Sequence, residues 1–158
     1  MTIRDLRILN LPFRVGTTSY IIPDDLIPNA RFLAQRVQDM QLVLFDLPDG
    51  PSNLPTPADV NELAAIGRAH NFSYTVHLTH DLRLDEGGSA DHISLTKARQ
   101  VIELTRPLNP AAYVLHLDGA HVRTPETTSQ AVSRWHDEAV HALDLVADWA
   151  GDSRLLAV

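Results

Sequence analysis

Two histidines carry the strongest chemical signal in this chain of 158 residues. His77 follows the run Tyr74-Thr75-Val76, and His116 follows Tyr113-Val114-Leu115. Short apolar runs of this kind read as buried strands, so both imidazoles are expected at strand ends. Two such groups on neighbouring strands can ligate one divalent cation, with nearby carboxylates such as Asp81 and Asp118 orienting the rings. A lone strand-end histidine often does no more than hydrogen-bond at the rim; its recurrence on consecutive strands brings ligation forward. The chain has no cysteine, so disulfides are excluded and a metal must rest on nitrogen and oxygen donors. Zinc or manganese suits such donors.

Other polar residues gather at the same kind of junction. Asp46 closes Leu42-Val43-Leu44-Phe45, and Asp118 follows His116. With Tyr20 after the first apolar segment, His80 in the loop after His77 and His121 in the loop after Asp118, these are the expected substrate-binding residues, because substrates of parallel α/β folds bind where strands end. His136 and His141 stand five apart on a helical stretch, which puts them on different faces, and they are expected on the surface. Trp135 and Trp149 fall on the apolar stripe of that helix and are expected to pack.

The elements that position these groups alternate between strand and helix. Strands are expected over residues 14–22, 42–45, 72–78 and 113–115, with a fifth starting at Arg154. Helices are expected from Pro28 to about Asp39, from Pro57, over 93–104 and over 129–151. Thr56-Pro57-Ala58-Asp59 is a helix start with a capping threonine and proline in the first turn. The polar stretch from Thr79 to Asp91, containing Asp85-Glu86-Gly87-Gly88, is long enough to be functional. Strand starts 27 to 42 residues apart match successive βα units and predict one domain over 1–158 with a parallel sheet. The length suits an open five-stranded sheet, while the fifth apolar run with no helix after it suits the first four units plus fifth strand of a TIM barrel.

Composition narrows the class. The chain is 44% apolar and 21% charged, ordinary for a globular protein with a real core. No apolar stretch approaches the ~20 residues of a membrane span, and no signal pattern opens the chain, so a cytoplasmic protein without membrane partners is expected. A net charge of −7 argues against nucleic acid, whose affinity comes largely from lysine and arginine on phosphates.

The blocks Val15-Gly16-Thr17-Thr18-Ser19-Tyr20, Leu42 to Asp46, Tyr74 to Leu78 and Tyr113 to Gly119 resemble the xylose isomerase-like TIM-barrel superfamily of sugar isomerases, epimerases and apurinic-site nucleases. Thr17 to Leu26 together with Leu115 to Gly119 is most similar to its cobamide-remodelling phosphodiesterases. The resemblance implies that His77 and His116 are metal ligands, that the next ligand is a Glu at the end of strand five beyond Val158, and that the chain is the N-terminal part of such an enzyme. It further implies metal-dependent hydrolysis of a phosphodiester, with a cobamide or sugar phosphate as the small-molecule substrate; the acidic charge is compatible with that, since a metal and a few donors such as Arg83 or Arg123 can hold one phosphodiester. The alternative within the superfamily is a sugar isomerase or epimerase using a lysine for proton transfer, a place that Lys97, on a helix, is expected not to fill. A third reading is a non-catalytic half-barrel that self-associates through its exposed sheet edges.

Overall fold

In the computed structural model, which describes residues 5–8, 11–47, 49–84 and 89–158, five parallel strands lie side by side in chain order. They are β1 (Gly16–Thr18), β2 (Asp39–Val43), β3 (Ser73–His77), β4 (Ala112–Val114) and β5 (Leu156–Ala157). This sequential order separates the two architectures left open by length. A flavodoxin-like sheet reverses its strand order at a switch point, whereas successive barrel strands stay neighbours. The arrangement is that of a partial TIM barrel.

Helices α1 (Leu26–Leu33), α2 (Pro57–His70), α3 (Ile93–Thr105) and α4 (Ser129–Ala150) pack on one face of the sheet. Met40, Leu42, Tyr74, Val76, Tyr113 and Leu115 point into that layer and are essentially inaccessible. The two tyrosines reach through it, donating to helix carbonyls at Leu63 (2.8 Å) and Ile102 (3.4 Å). Strand alternation then sends Asp39, Gln41, Val43, Ser73, Thr75, His77 and Val114 to the opposite face, where all are half-buried. Near its N-terminal end, Asp39 accepts hydrogen bonds from Ser73 Oγ (2.6 Å) and Thr75 Oγ1 (3.0 Å).

Several boundaries differ from the sequence expectation for local reasons. The first strand ends at Thr18, because fully buried Asn29 of α1 captures the chain beyond it. Its Oδ1 accepts from Ile21 and Ile22 N–H, and its Nδ2 donates to the carbonyls of Ile22, Asp24 and Asp25. Helix α1 starts two residues before Pro28, which falls in a first turn that needs no proline N–H. The second strand begins earlier and stops at Val43. The fifth starts at Leu156, since Asp152 accepts from the backbone and guanidinium of Arg154 and holds a 3₁₀ turn over Ser153–Leu155. Helix α2 begins as expected, with Thr56 and Asp59 forming a reciprocal capping box. On α4 the buried residues Ala142 and Val146 both lie in the C-terminal half, and Val132, expected on the packed stripe, is 43% exposed.

Candidate functional site

His77 and His116 meet. His77 aligns with Val114 on the neighbouring strand, and His116 lies two residues farther on, so both rings project from the same face one pleat apart. Their Nε2 atoms are 3.2 Å apart and their ring centroids 5.1 Å. His77 Nδ1 lies 2.8 Å from the Leu78 carbonyl oxygen. A carbonyl can only accept, so Nδ1 carries the proton and the Nε2 lone pair is directed at His116. This is the second-sphere arrangement that orients metal-binding imidazoles. Two nitrogens each ~2.0–2.1 Å from a zinc ion at a tetrahedral angle stand about 3.3 Å apart, so the pair fits adjacent positions around one ion. Among the described residues no cluster of three or more His, Asp or Glu accompanies them.

The strand ends around the pair are shaped by a bulge. Leu78 N donates to the Val114 carbonyl (2.9 Å) and Leu82 N to the His116 carbonyl (2.7 Å). Four residues on one side thus span two on the other, and Thr79, His80 and Asp81 loop outward before Leu82 resumes parallel pairing with Leu117. Thr79 Oγ1 is enclosed there with no hydrogen-bond partner among the described residues. The expected loop from Thr79 to Asp91 is therefore partly sheet, and its Asp85-Glu86-Gly87-Gly88 segment lies outside the described residues.

Asp46 sits at the end of the β2 segment. Lys97 of α3 reaches it with Nζ, so the lysine does arrive at the strand-end rim despite its helical position. The Lys97 ammonium, then the Ser52 hydroxyl, hold the Asp46 carboxyl below its ordinary value, with His80 near enough to act in the same direction. Asp118, one pleat beyond His116, accepts from Arg83 Nη1 at 3.2 Å and from Ala120 N at 3.1 Å. Arg83 Nε donates in turn to His92 Nε2 at 2.9 Å.

Tyr20 lies over the other half of the rim, half-exposed, where it lines a cavity of about 360 Å³ with Phe45 and Asn53. Its hydroxyl accepts from Asn53 Nδ2 at 2.7 Å, and burial raises its phenol above the usual range. Sequence reasoning missed Asn53, which also accepts from Phe45 N (2.6 Å) and donates to the Val43 carbonyl (3.0 Å). It thus replaces a strand neighbour where β2 ends; its place between Ser52 and Pro55 carried no periodic signal. Ser19 is buried, and its Oγ accepts from Val43 N at 3.2 Å. His121 falls in the 3₁₀ turn Ala120–Val122, and its side chain lies outside the described residues. Arg123 is exposed, as are His136 and His141, and Trp149 packs against the core.

The structure thus brings His77 and His116 into direct contact and sets Asp46, His80 and Asp118 around the same rim, with Tyr20 on its far side. No protein-family model and no curated protein matches the chain. Solved structures do. A D-tagatose 3-epimerase-like protein superimposes with a TM-score of 0.61 at 18% identity, over 92% of this chain and 52% of its own. A D-psicose 3-epimerase crystallised in the presence of D-fructose gives 0.58 at 10% identity, over 91% and 51%. A D-allulose 3-epimerase from Methylomonas sp. gives 0.54 at 16% identity, over 91% and 50%. The chain spans about half the length of these structures and shares its partial TIM-barrel fold with that half of them.

Proposed function

We propose that the chain supplies part of a divalent-metal centre acting on a polyhydroxylated carbonyl substrate, as in sugar epimerisation or isomerisation. The observation that carries the reading is the convergence of His77 and His116 Nε2 at 3.2 Å, with the His77 ring fixed through Nδ1. The partial barrel shared with two sugar 3-epimerases and a 3-epimerase-like protein supports it. When bound, zinc or manganese supplies Lewis-acid polarisation of a carbonyl oxygen. The chain's own groups bind and orient: His77 and His116 hold the ion, with the His77 ring fixed by the Leu78 carbonyl. Asp46, ionised by Lys97, presents acceptor oxygens on the β2 side. The Lys97 ammonium is engaged by Asp46 and, at 3.3 Å, by Gln100, so it anchors the rim rather than removing a proton.

Titration of the chain with zinc or manganese by calorimetry tests the centre. His77→Ala and His116→Ala are expected to weaken one site by tenfold or more, while His141→Ala leaves it intact. Equal affinity in all three variants rejects the site. Hydrolysis of a phosphodiester, the cobamide nucleotide loop included, is the second reading, and Arg83 beside Asp118 favours it. Turnover of bis-p-nitrophenyl phosphate by metal-loaded protein, without exchange at a ketose C3–H, would select it over epimerisation.

A further inference from the structure

Next to the histidine pair, a cavity of about 630 Å³ opens between the segment after β3 and the overhanging N-terminal half of α4, within the size range of small-molecule sites. Arg83 stands on one wall and Arg134 and Glu138 on the other, with Trp135 and Leu82 among the apolar lining. We propose that this cavity is an anion subsite that takes the phosphate of a sugar phosphate, so that the substrate is a phosphorylated sugar rather than a free one.

Arg83 is held at two points, by His92 Nε2 and Asp118 Oδ2. Of the five N–H donors of a guanidinium these bonds use two, and the remainder have no acceptor among the described residues. Its side chain is 53% exposed, and an ion pair so placed contributes little to stability; what the pair does is fix the direction of the fork. Arg134 makes no ion pair among the described residues.

The acceptors are largely spent. Both carboxylate oxygens of Asp118 already accept, one from Ala120 N and one from Arg83. Trp135 Nε1 donates to the Asp118 carbonyl at 2.7 Å, which ties the cavity wall to the segment bearing His116. Gly119 allows this approach, since a Cβ there would lie 3.3 Å from the indole. Two guanidinium forks thus face a ligand, with Glu138 as the carboxylate left to receive hydroxyls. Planar forks match the oxygens of a phosphate, and Glu138 suits the polyol attached to it. Asp118 and His116 are two residues apart on one face, about 7 Å along the strand, so a phosphate at Arg83 leaves the sugar beside the histidines.

The inference rests on the reading of that pair as the reacting centre, and the test separates the two. Binding of inorganic phosphate, fructose 6-phosphate and fructose to the full chain is measured by calorimetry, with and without manganese. Fructose 6-phosphate is expected to bind at least tenfold tighter than fructose, and Arg83→Gln and Arg134→Gln to remove most of that preference. Arg134, exposed and unpaired in this sense, is the variant that decides if Arg83→Gln does not fold. Equal affinity for both sugars, or a preference that survives in the folded variants, overturns the subsite. Arginine-dependent phosphate binding with no metal bound at His77 and His116 would retain the subsite and reject the metal centre.

Discussion

At the scale of single residues, the site is organised by groups that fix other groups. Leu78 sets the His77 tautomer through its carbonyl, Asn53 sets the Tyr20 hydroxyl, and Lys97 sets Asp46. The last of these has a pH signature. Asp46 titrates below its ordinary value of 3.8 in the folded chain, so its contribution to stability is fully present above that value and is lost as pH falls through the lowered one. Thermal melts from pH 5 downward are therefore expected to show a steeper acid loss in wild type than in Asp46→Asn, with the two converging at the acid end. Parallel curves across that range would mean that the Lys97–Asp46 pair is not formed in solution. The histidine pair was legible as two separate strand ends. Which atoms meet was not, because that depends on register and on the bulge at Thr79 to Asp81.

Among the elements, α2 was the most legible, because capping chemistry is local: Thr56, Pro57 and Asp59 act within one turn of each other. Its packing was less so. Gly67 faces the β3 segment so closely that a Cβ would lie 2.9 Å from the Phe72 carbonyl oxygen and 3.3 Å from the Tyr74 ring. Helix propensity alone makes Gly→Ala favourable by about 1 kcal/mol. Here Gly67→Ala is expected to destabilise instead, by about 1–3 kcal/mol, the usual cost of overpacking, as read from urea unfolding; a stabilised variant would show that the helix can move off the strand. The first strand was read too long for the opposite reason. Ile21 and Ile22 are β-prone, but Asn29, on the helix that follows, satisfies their N–H groups and turns the chain aside.

Taken whole, the molecule is a five-stranded parallel sheet with helices on one face and half-buried residues on the other. Strands β1 and β5 are its edges, and Asp39, Gln41 and Thr75 lie on the open face; the solved structures that share the fold have about as much chain again. Open parallel edges pair readily with other chains. On that ground we propose that the 158-residue chain self-associates through them, whether or not it is catalytic. Sedimentation velocity is expected to show a concentration-dependent dimer or larger species, and a monomer at all concentrations with cooperative unfolding would remove the proposal. The described helices include none long and apolar enough to cross a membrane.

What the sequence determined by itself was whatever is periodic or local. Alternating apolar runs and amphipathic stretches set the order of strands and helices, composition set the donor types available to a metal, and placement after an apolar run put His77, His116, Asp46 and Asp118 at strand ends. Tertiary structure alone decided sequential strand order over a switched sheet, the contact between His77 and His116, the reach of Lys97 to Asp46, and the Arg83 cavity against α4. Each of these joins residues separated by at least one whole βα unit or a bulged loop, and only the packing of helices on one face of the sheet fixes the register that brings them together.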